Sequence, residues 1–248
     1  MRLLVINPNT STQMTAAIHR AAQAAAGPGV TVETVHATAG PHSIEGHVDE
    51  AVSMLGTLEW VLRRDADVDG YVFACFSAHA AIDATRELTR KPAVGIAEAG
   101  MALASLIAHR FSIVTTSRRW KPLLEDAVRK YGYETRCASV RSSGLAVLDL
   151  DRLPREQVIG TLVREARLAV TEDGAEAIVL GCAGMADLEA RLREALDVPI
   201  VDGVAAAVSL VSTLGRLGLG TSKVGAYQPV LPREVDGLPE LFRRIYAG

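Results

Sequence analysis

The sequence predicts an α/β fold made of two pseudo-symmetric lobes, each a mostly parallel sheet flanked by helices. Three observations carry that prediction. Short apolar, β-rich runs alternate with longer helical patterns along the chain, the order that gives parallel sheets with helices on both faces. The order runs once over residues 1–110 and then begins again. Two of only 3 cysteines in 248 residues stand at matching places in the two halves, in "YVFACFSAHA" (71–80) and "AIVLGCAGMA" (177–186).

In the first half, "RLLVI" (2–6) reads as a strand. "STQMTAAIHRAAQAAA" (11–26) reads as a helix, capped by Thr10 or Ser11 and stopped by Gly27-Pro28. "VTVETVHA" (30–37) alternates like a strand. Residues 47–65 space Val48, Ala51, Leu55, Leu58 and Leu62 on one helical face. A buried strand (70–75), a helix (80–90), a short strand (93–96) and a helix (98–110) follow. The second half repeats the plan, with strands expected at 111–116, 134–140, 175–181 and 199–203. Helices are expected at 118–132, 155–173, 187–197 and 204–218. The Pro-interrupted tail is expected to pack back on the body. The lobes are thus read as 1–100, with 211–248 returning to it, and 101–210.

Laying Cys182 over Cys75, an offset of 107, also brings Pro199 onto Pro92, Arg193-Glu194 onto Arg86-Glu87 and Val201 onto Val94. An offset of 108 sets "IVTT" on "VINP". A duplication explains these coincidences. Duplicated α/β halves face each other across a cleft, and ligands of open α/β sheets sit at the carboxyl ends of strands. Both cysteines are at that end.

Composition narrows the function. A net charge of −3 and 22% charged residues show no basic stripe for nucleic acid and no polybasic face for membrane. No segment nears the roughly 20 apolar residues of a membrane span. Three cysteines are too few for a disulfide framework and suit reduced thiols in the cytoplasm. Neither a GxxxxGK[ST] phosphate loop nor a GxSxG elbow occurs.

Two thiols on opposite sides of one carbon can invert it. One thiolate removes a proton, and the other thiol delivers one to the opposite face. "CFSA" and "CAGM" each give a cysteine and then amides that read as the opening of a helix, which stabilise a thiolate and lower its pKa. Cysteine is also a common small, inert core residue. Cys137 has no counterpart and reads as a packed thiol.

Taken in order, "LLVINPNTSTQMT", "GPHSIEGHVDE", "ACFSAHAAIDATRE", "PAVGIAEA", "FSIVTT" and "IVLGCAGM" resemble the hydantoin and allantoin racemase branch of the aspartate/glutamate racemase superfamily. The resemblance spans nearly the whole chain. It implies an active site between the two lobes, cofactor-independent racemisation of a small-molecule substrate with Cys75 and Cys182 as the catalytic pair, and a homo-oligomer. One departure is Ser77-Ala78-His79, where many hydantoin racemases carry an acidic residue and a proline. A ureido ring such as allantoin is equally compatible. Related isomerases, decarboxylases and amino-acid racemases share this expected fold, as does a non-catalytic ligand binder. The matched thiol pair disfavours all but racemisation.

The remaining candidates flank these motifs. Asn7, Asn9 and Thr10 follow the first strand, where the superfamily's substrate loop lies, although Asn-Pro-Asn is also a good turn. Thr115 and Thr116 either hydrogen-bond a ring carbonyl or cap a helix. Phe76 and Ser77 after one cysteine, and Ala183 and Gly184 after the other, offer backbone amides. Glu98 reads as a dipole partner or a cleft residue, and Tyr227 as a possible cover. His79 reads as a helix-surface histidine. His42, His47 and Glu45 share a loop without a metal pattern. No metal and no cofactor are expected.

Overall fold

The protein is described by a computed structural model covering residues 1–247. In the first half, β1 (Arg2–Asn7), α1 (Thr12–Ala25), β2 (Thr31–His36), α2 (His47–Arg64), β3 (Gly70–Phe73), α3 (Ala80–Leu88), β4 (Ala93–Gly95) and α4 (Ile96–Ile107) follow one another. The second half holds β5 (Phe111–Thr115), α5 (Lys121–Lys130), β6 (Cys137–Ser142), α6 (Asp149–Arg152), α7 (Arg155–Thr171), β7 (Ala177–Leu180), α8 (Glu189–Ala195), β8 (Ile200–Val201) and α9 (Gly203–Arg216). A short α10 (Glu240–Arg243) lies in the tail.

The strands form two four-stranded sheets in the orders β2-β1-β3-β4 and β6-β5-β7-β8, with every pairing parallel. The second order repeats the first, strand for strand. All strands but the β2 and β6 edges are buried on both faces, as parallel sheets require. Leu3 and Val5 of β1 point into a core shared by both halves, with Phe111, Ile113 and Val179 from the other sheet. Their neighbours Leu4 and Ile6 point into a separate outer core with Leu58, Val61 and Phe242. Val114, Ile178 and Leu180 do the same on the far side, against Val158, Ile159 and Leu162 of α7. The period-two alternation thus builds three cores.

The middle layer is exchanged between the halves. Helix α4 leaves β4 of the first sheet and packs on β7 and β8 of the second. Helix α9 leaves β8 of the second sheet and packs on β3 and β4 of the first. The two helices also pack on each other. The tail stays with the first half: Phe242 sits over α2, Thr221 N–H donates to the Arg90 carbonyl, and the Tyr227 hydroxyl donates to Asp83 at 2.8 Å.

Several elements differ from expectation, including α6 and α10, which were not expected. β6 begins at Cys137 rather than 134, because residues 133–136 form a turn. The Arg136 guanidinium anchors that turn by donating to the carbonyls of Ser105, Ala108 and His109. The helix expected at 187–197 starts earlier, as a 3-10 turn at Ala183–Leu188 leading into α8.

Candidate active site

Each cysteine lies two residues beyond its strand, Cys75 after β3 and Cys182 after β7. The two strands occupy the same place in their sheets, so the two thiols meet at the carboxyl ends. Both line one cavity of about 30 Å³, with Asn9, Phe76, Thr116 and Ala183. Such a volume holds one or two waters. A substrate ring enters only when the walls part. All three cysteines are free thiols. Cys137 stands at the opposite, amino-terminal end of its sheet, where its thiol donates to the Ser139 carbonyl at 3.4 Å.

Residues expected in the site divide into two groups. Asn9, Phe76, Thr116 and Ala183 line the cavity. Asn7 and Thr115, at equivalent ends of β1 and β5, are fully buried and bond internally instead. The Asn7 amide donates to Asn9 Oδ1 at 2.8 Å and to Thr15 Oγ1 at 3.0 Å. The Thr115 hydroxyl donates to the Gly181 carbonyl at 2.9 Å, which braces the loop before Cys182. Asn9 Oδ1 also accepts from Ser11 N–H at 2.9 Å, while its Nδ2 reaches Met14 sulfur at 3.2 Å, facing the cavity. Thr10 turns outward, donating to the Pro41 carbonyl. Ser11 caps α1, accepting from Met14 N–H. Gly184 lies behind Cys182: a Cβ built there would stand 3.7 Å from its sulfur.

The two thiols are not electrostatic twins. Cys182 stands at the N-cap of the 3-10 turn, where the Gly184 amide acts to lower its pKa. Ser77 does not open a helix, as was expected. Residues 75–79 bend away and α3 starts only at Ala80. The expected lowering of the thiol pKa values is also reversed. Burial pushes Cys182 up to about 11, offset in part by that amide. Burial pushes Cys75 further, helped by the Glu50 carboxylate. The enclosed site withholds the water that would stabilise a thiolate.

His79 is not on a helix surface. It is 0% exposed and caps α3. Its Nδ1 accepts from Ala81 N–H at 3.2 Å, so Nε2 carries the proton and donates to Ser53 Oγ at 2.9 Å. Burial holds its pKa down to about 4, which keeps it neutral. Glu98 lies outside the cavity lining, paired with Arg86 at 2.7 Å in a network that includes Asp83 and Tyr227. Tyr227 therefore anchors the tail and does not line the cavity.

Four wall residues were not among the site candidates, although Met14 and Ile44 lie within the quoted motifs. Met14, Ile44, Trp120 and Val147 close the cavity. Trp120, from the second half, donates its indole N–H to the Phe76 carbonyl at 3.2 Å and so ties the Cys75 loop across the cleft. Ala74 and Gly181 also line the site and sit beside the cysteines.

The family profile described as Asp/Glu/Hydantoin racemase matches residues 3–211. The chain belongs to that family. Membership makes it an isomerase of the racemase type. It is 43% identical over 245 residues to the hydantoin racemase of Pseudomonas sp. (strain NS671), covering 98% of each chain. Its structure matches the allantoin racemase of Pseudomonas fluorescens with a TM-score of 0.92 and 39% identity, covering 96% of this racemase and 100% of that one. The maleate isomerase Iso of Pseudomonas putida S16 shares the fold at a TM-score of 0.61 and 21% identity, over 92% and 99% of the two chains. Among the described residues, no helix is long and apolar enough to cross a membrane.

Proposed function

We propose that this racemase inverts C5 of a 5-substituted hydantoin or of allantoin by cofactor-independent, two-thiol proton transfer. The observation that carries the reading is the placement of Cys75 and Cys182, from the two halves, in one small cavity. The likeness to hydantoin and allantoin racemases supports the substrate class.

In this mechanism one cysteine thiolate takes the C5 proton. The electron pair moves onto the adjacent ring carbonyl as an enolate. The other thiol then returns a proton to the opposite face, leaving that sulfur as thiolate. Asn9 and Thr116 supply polar side chains to the ring, and the apolar wall excludes water while the anion exists. Near-attack geometry places each sulfur roughly 3–3.5 Å from C5, and so the two sulfurs about 6–8 Å apart. The lobes of this reading run 1–100 and 101–210, with 211–247 on the first; Gly248, the last residue of the expected tail, lies outside the described residues. The enzyme acts as a cytoplasmic homo-oligomer, which light scattering of the purified protein checks.

Incubation of (S)-5-benzylhydantoin and of (S)-allantoin in D₂O tests the proposal. Optical rotation should decay to zero, and the C5–H proton signal should vanish at a matching rate, above the enzyme-free rate. EDTA should leave the rate unchanged. No enzyme-dependent loss of rotation from either compound would refute the proposal.

A further inference from the structure

The two thiols occupy duplicated positions in unlike surroundings, and the difference traces to residues outside the cavity lining. Sγ of Cys75 lies 3.7 Å from Ser77 Oγ, which lies 2.9 Å from Oε1 of Glu50 on α2. A hydroxyl carries one proton. The 2.9 Å contact is the shorter and its acceptor is a carboxylate, so Ser77 donates to Glu50. A lone pair of Oγ is then left facing Cys75. A Cys75 thiolate then lacks the Ser77 proton that it would otherwise accept, which favours the neutral thiol. Ser77 is only 2% exposed, so bulk water does not compete. Across the cleft, Cys182 stands at the N-cap of the 3-10 turn with Gly184 packed beside its sulfur, a position that favours the thiolate.

We propose that Glu50, acting through Ser77, is a positioning residue that holds Cys75 as the thiol in the resting enzyme, so that Cys182 is the resting base. The proposal rests on the two-thiol reading above. The other titratable groups are consistent with it. Cys75 faces Glu50 from α2 and Cys182 across the cleft, while His79 on its own segment is neutral. Cys182 faces Glu45 and Asp151, which raise it, against the amide that lowers it. Turnover from the resting form moves the C5 proton to Cys182 and the Cys75 proton to the opposite face of C5. The Ser77 hydroxyl then swings from Glu50 to the new Cys75 thiolate. The resting form returns when Cys75 takes a proton from solvent and Cys182 releases one.

Enantiomers have equal free energy, so kcat/KM is the same in both directions whatever the resting state. Thiol reactivity is the informative readout. Site-resolved iodoacetamide alkylation, read by peptide mass spectrometry in a Cys137→Ser background, compares Glu50→Gln, Ser77→Ala and Glu45→Gln. Alkylation follows the thiolate fraction, tempered by the lower nucleophilicity of a more acidic thiol. At pH 8, Glu50→Gln should therefore speed Cys75 alkylation about three- to tenfold and leave Cys182 unchanged. Ser77→Ala, which removes the proton that a Cys75 thiolate accepts, should slow Cys75. Glu45→Gln should leave Cys75 alone. An unchanged Cys75 rate in Glu50→Gln, or an equal rise at both thiols, overturns the proposal. So does a faster Cys75 in Ser77→Ala, because that would mean the hydroxyl is no donor to the thiolate. Wild-type racemisation by Cys75→Ser would instead remove the two-thiol reading and leave the alkylation result standing.

Discussion

Acid should destabilise this protein through one buried side chain, His79. Its ring has no exposed surface. Nδ1 accepts from Ala81 N–H, and Nε2–H donates to Ser53 Oγ, which in turn donates to the Glu50 carbonyl. Protonating Nδ1 removes the cap acceptor of α3 and adds a charge where water is excluded. The folded pKa is about 4, against an ordinary value of 6.5. Between those values the unfolded chain binds the proton and the folded one does not. The stabilisation is therefore complete above pH 6.5 and is lost as pH falls through 4. At 1.36 kcal/mol per pKa unit, the loss is about 2–3 kcal/mol by pH 4.5 and about 3–4 kcal/mol once both values are passed. Urea unfolding of the wild type and of His79→Gln at pH 7, 6, 5 and 4.5 measures it. Asp83 and Asp173, held below the usual carboxylate range, also lose stabilisation in acid, but in both proteins. The variant should start lower at pH 7, by about 1 kcal/mol for the lost cap, and then fall less steeply. Parallel curves over pH 4.5–6.5 would refute the assignment of His79 as a buried neutral cap.

Four further outcomes are expected. Cys75→Ser and Cys182→Ser should each lower racemisation by about 10²–10⁴, and Cys137→Ser should stay close to wild type, measured by polarimetry. Trp120→Phe leaves the buried Phe76 carbonyl unpaired. It should cost about 1–3 kcal/mol in urea unfolding, with kcat/KM falling because the Cys75 loop loses its tie across the cleft. Gly56→Ala places a Cβ 2.3 Å from the Ala39 carbonyl oxygen and 2.7 Å from its nitrogen, whereas a Cβ at Gly27 meets nothing within 4 Å. The first should lose about 3 kcal/mol and the second remain near neutral. With Cys182 pushed up to about 11, kcat/KM should rise with pH from 7 to 9, approaching tenfold per unit. A flat profile over that range would show that this thiol is not the group titrating.

The elements that carry the site were legible because local signals mark them. β3 and β7 are fully buried apolar runs that stop at a turn, and the two cysteines repeat the same step past them. The β6 boundary was not legible, because Arg136 sets it through carbonyls about 30 residues away. His79 was misplaced for the same reason. What buries it is α2, through Ser53, 26 residues earlier. Ser77 looked like an amide donor, yet its hydroxyl is oriented by Glu50, 27 residues distant. Met14, Ile44, Trp120 and Val147 come from four separate segments. An apolar side chain in a cavity wall carries the same sequence signal as one in a core.

The exchange of α4 and α9 between the sheets has a consequence for synthesis. As the chain leaves the ribosome, β1 to β4 can pair long before the helix that covers β3 and β4 exists. That helix, residues 203–216, is the last long helix to be made. Until it emerges, the Val72 and Val94 side of the first sheet has no cover. Helix α4 emerges early but must wait for β7 and β8. Neither half is a finished folding unit, and a fragment cut near residue 100 exposes apolar surface on both pieces. A nascent chain stalled short of residue 203 should bind holdase chaperones and resist refolding, whereas the two fragments, supplied together, should reassemble.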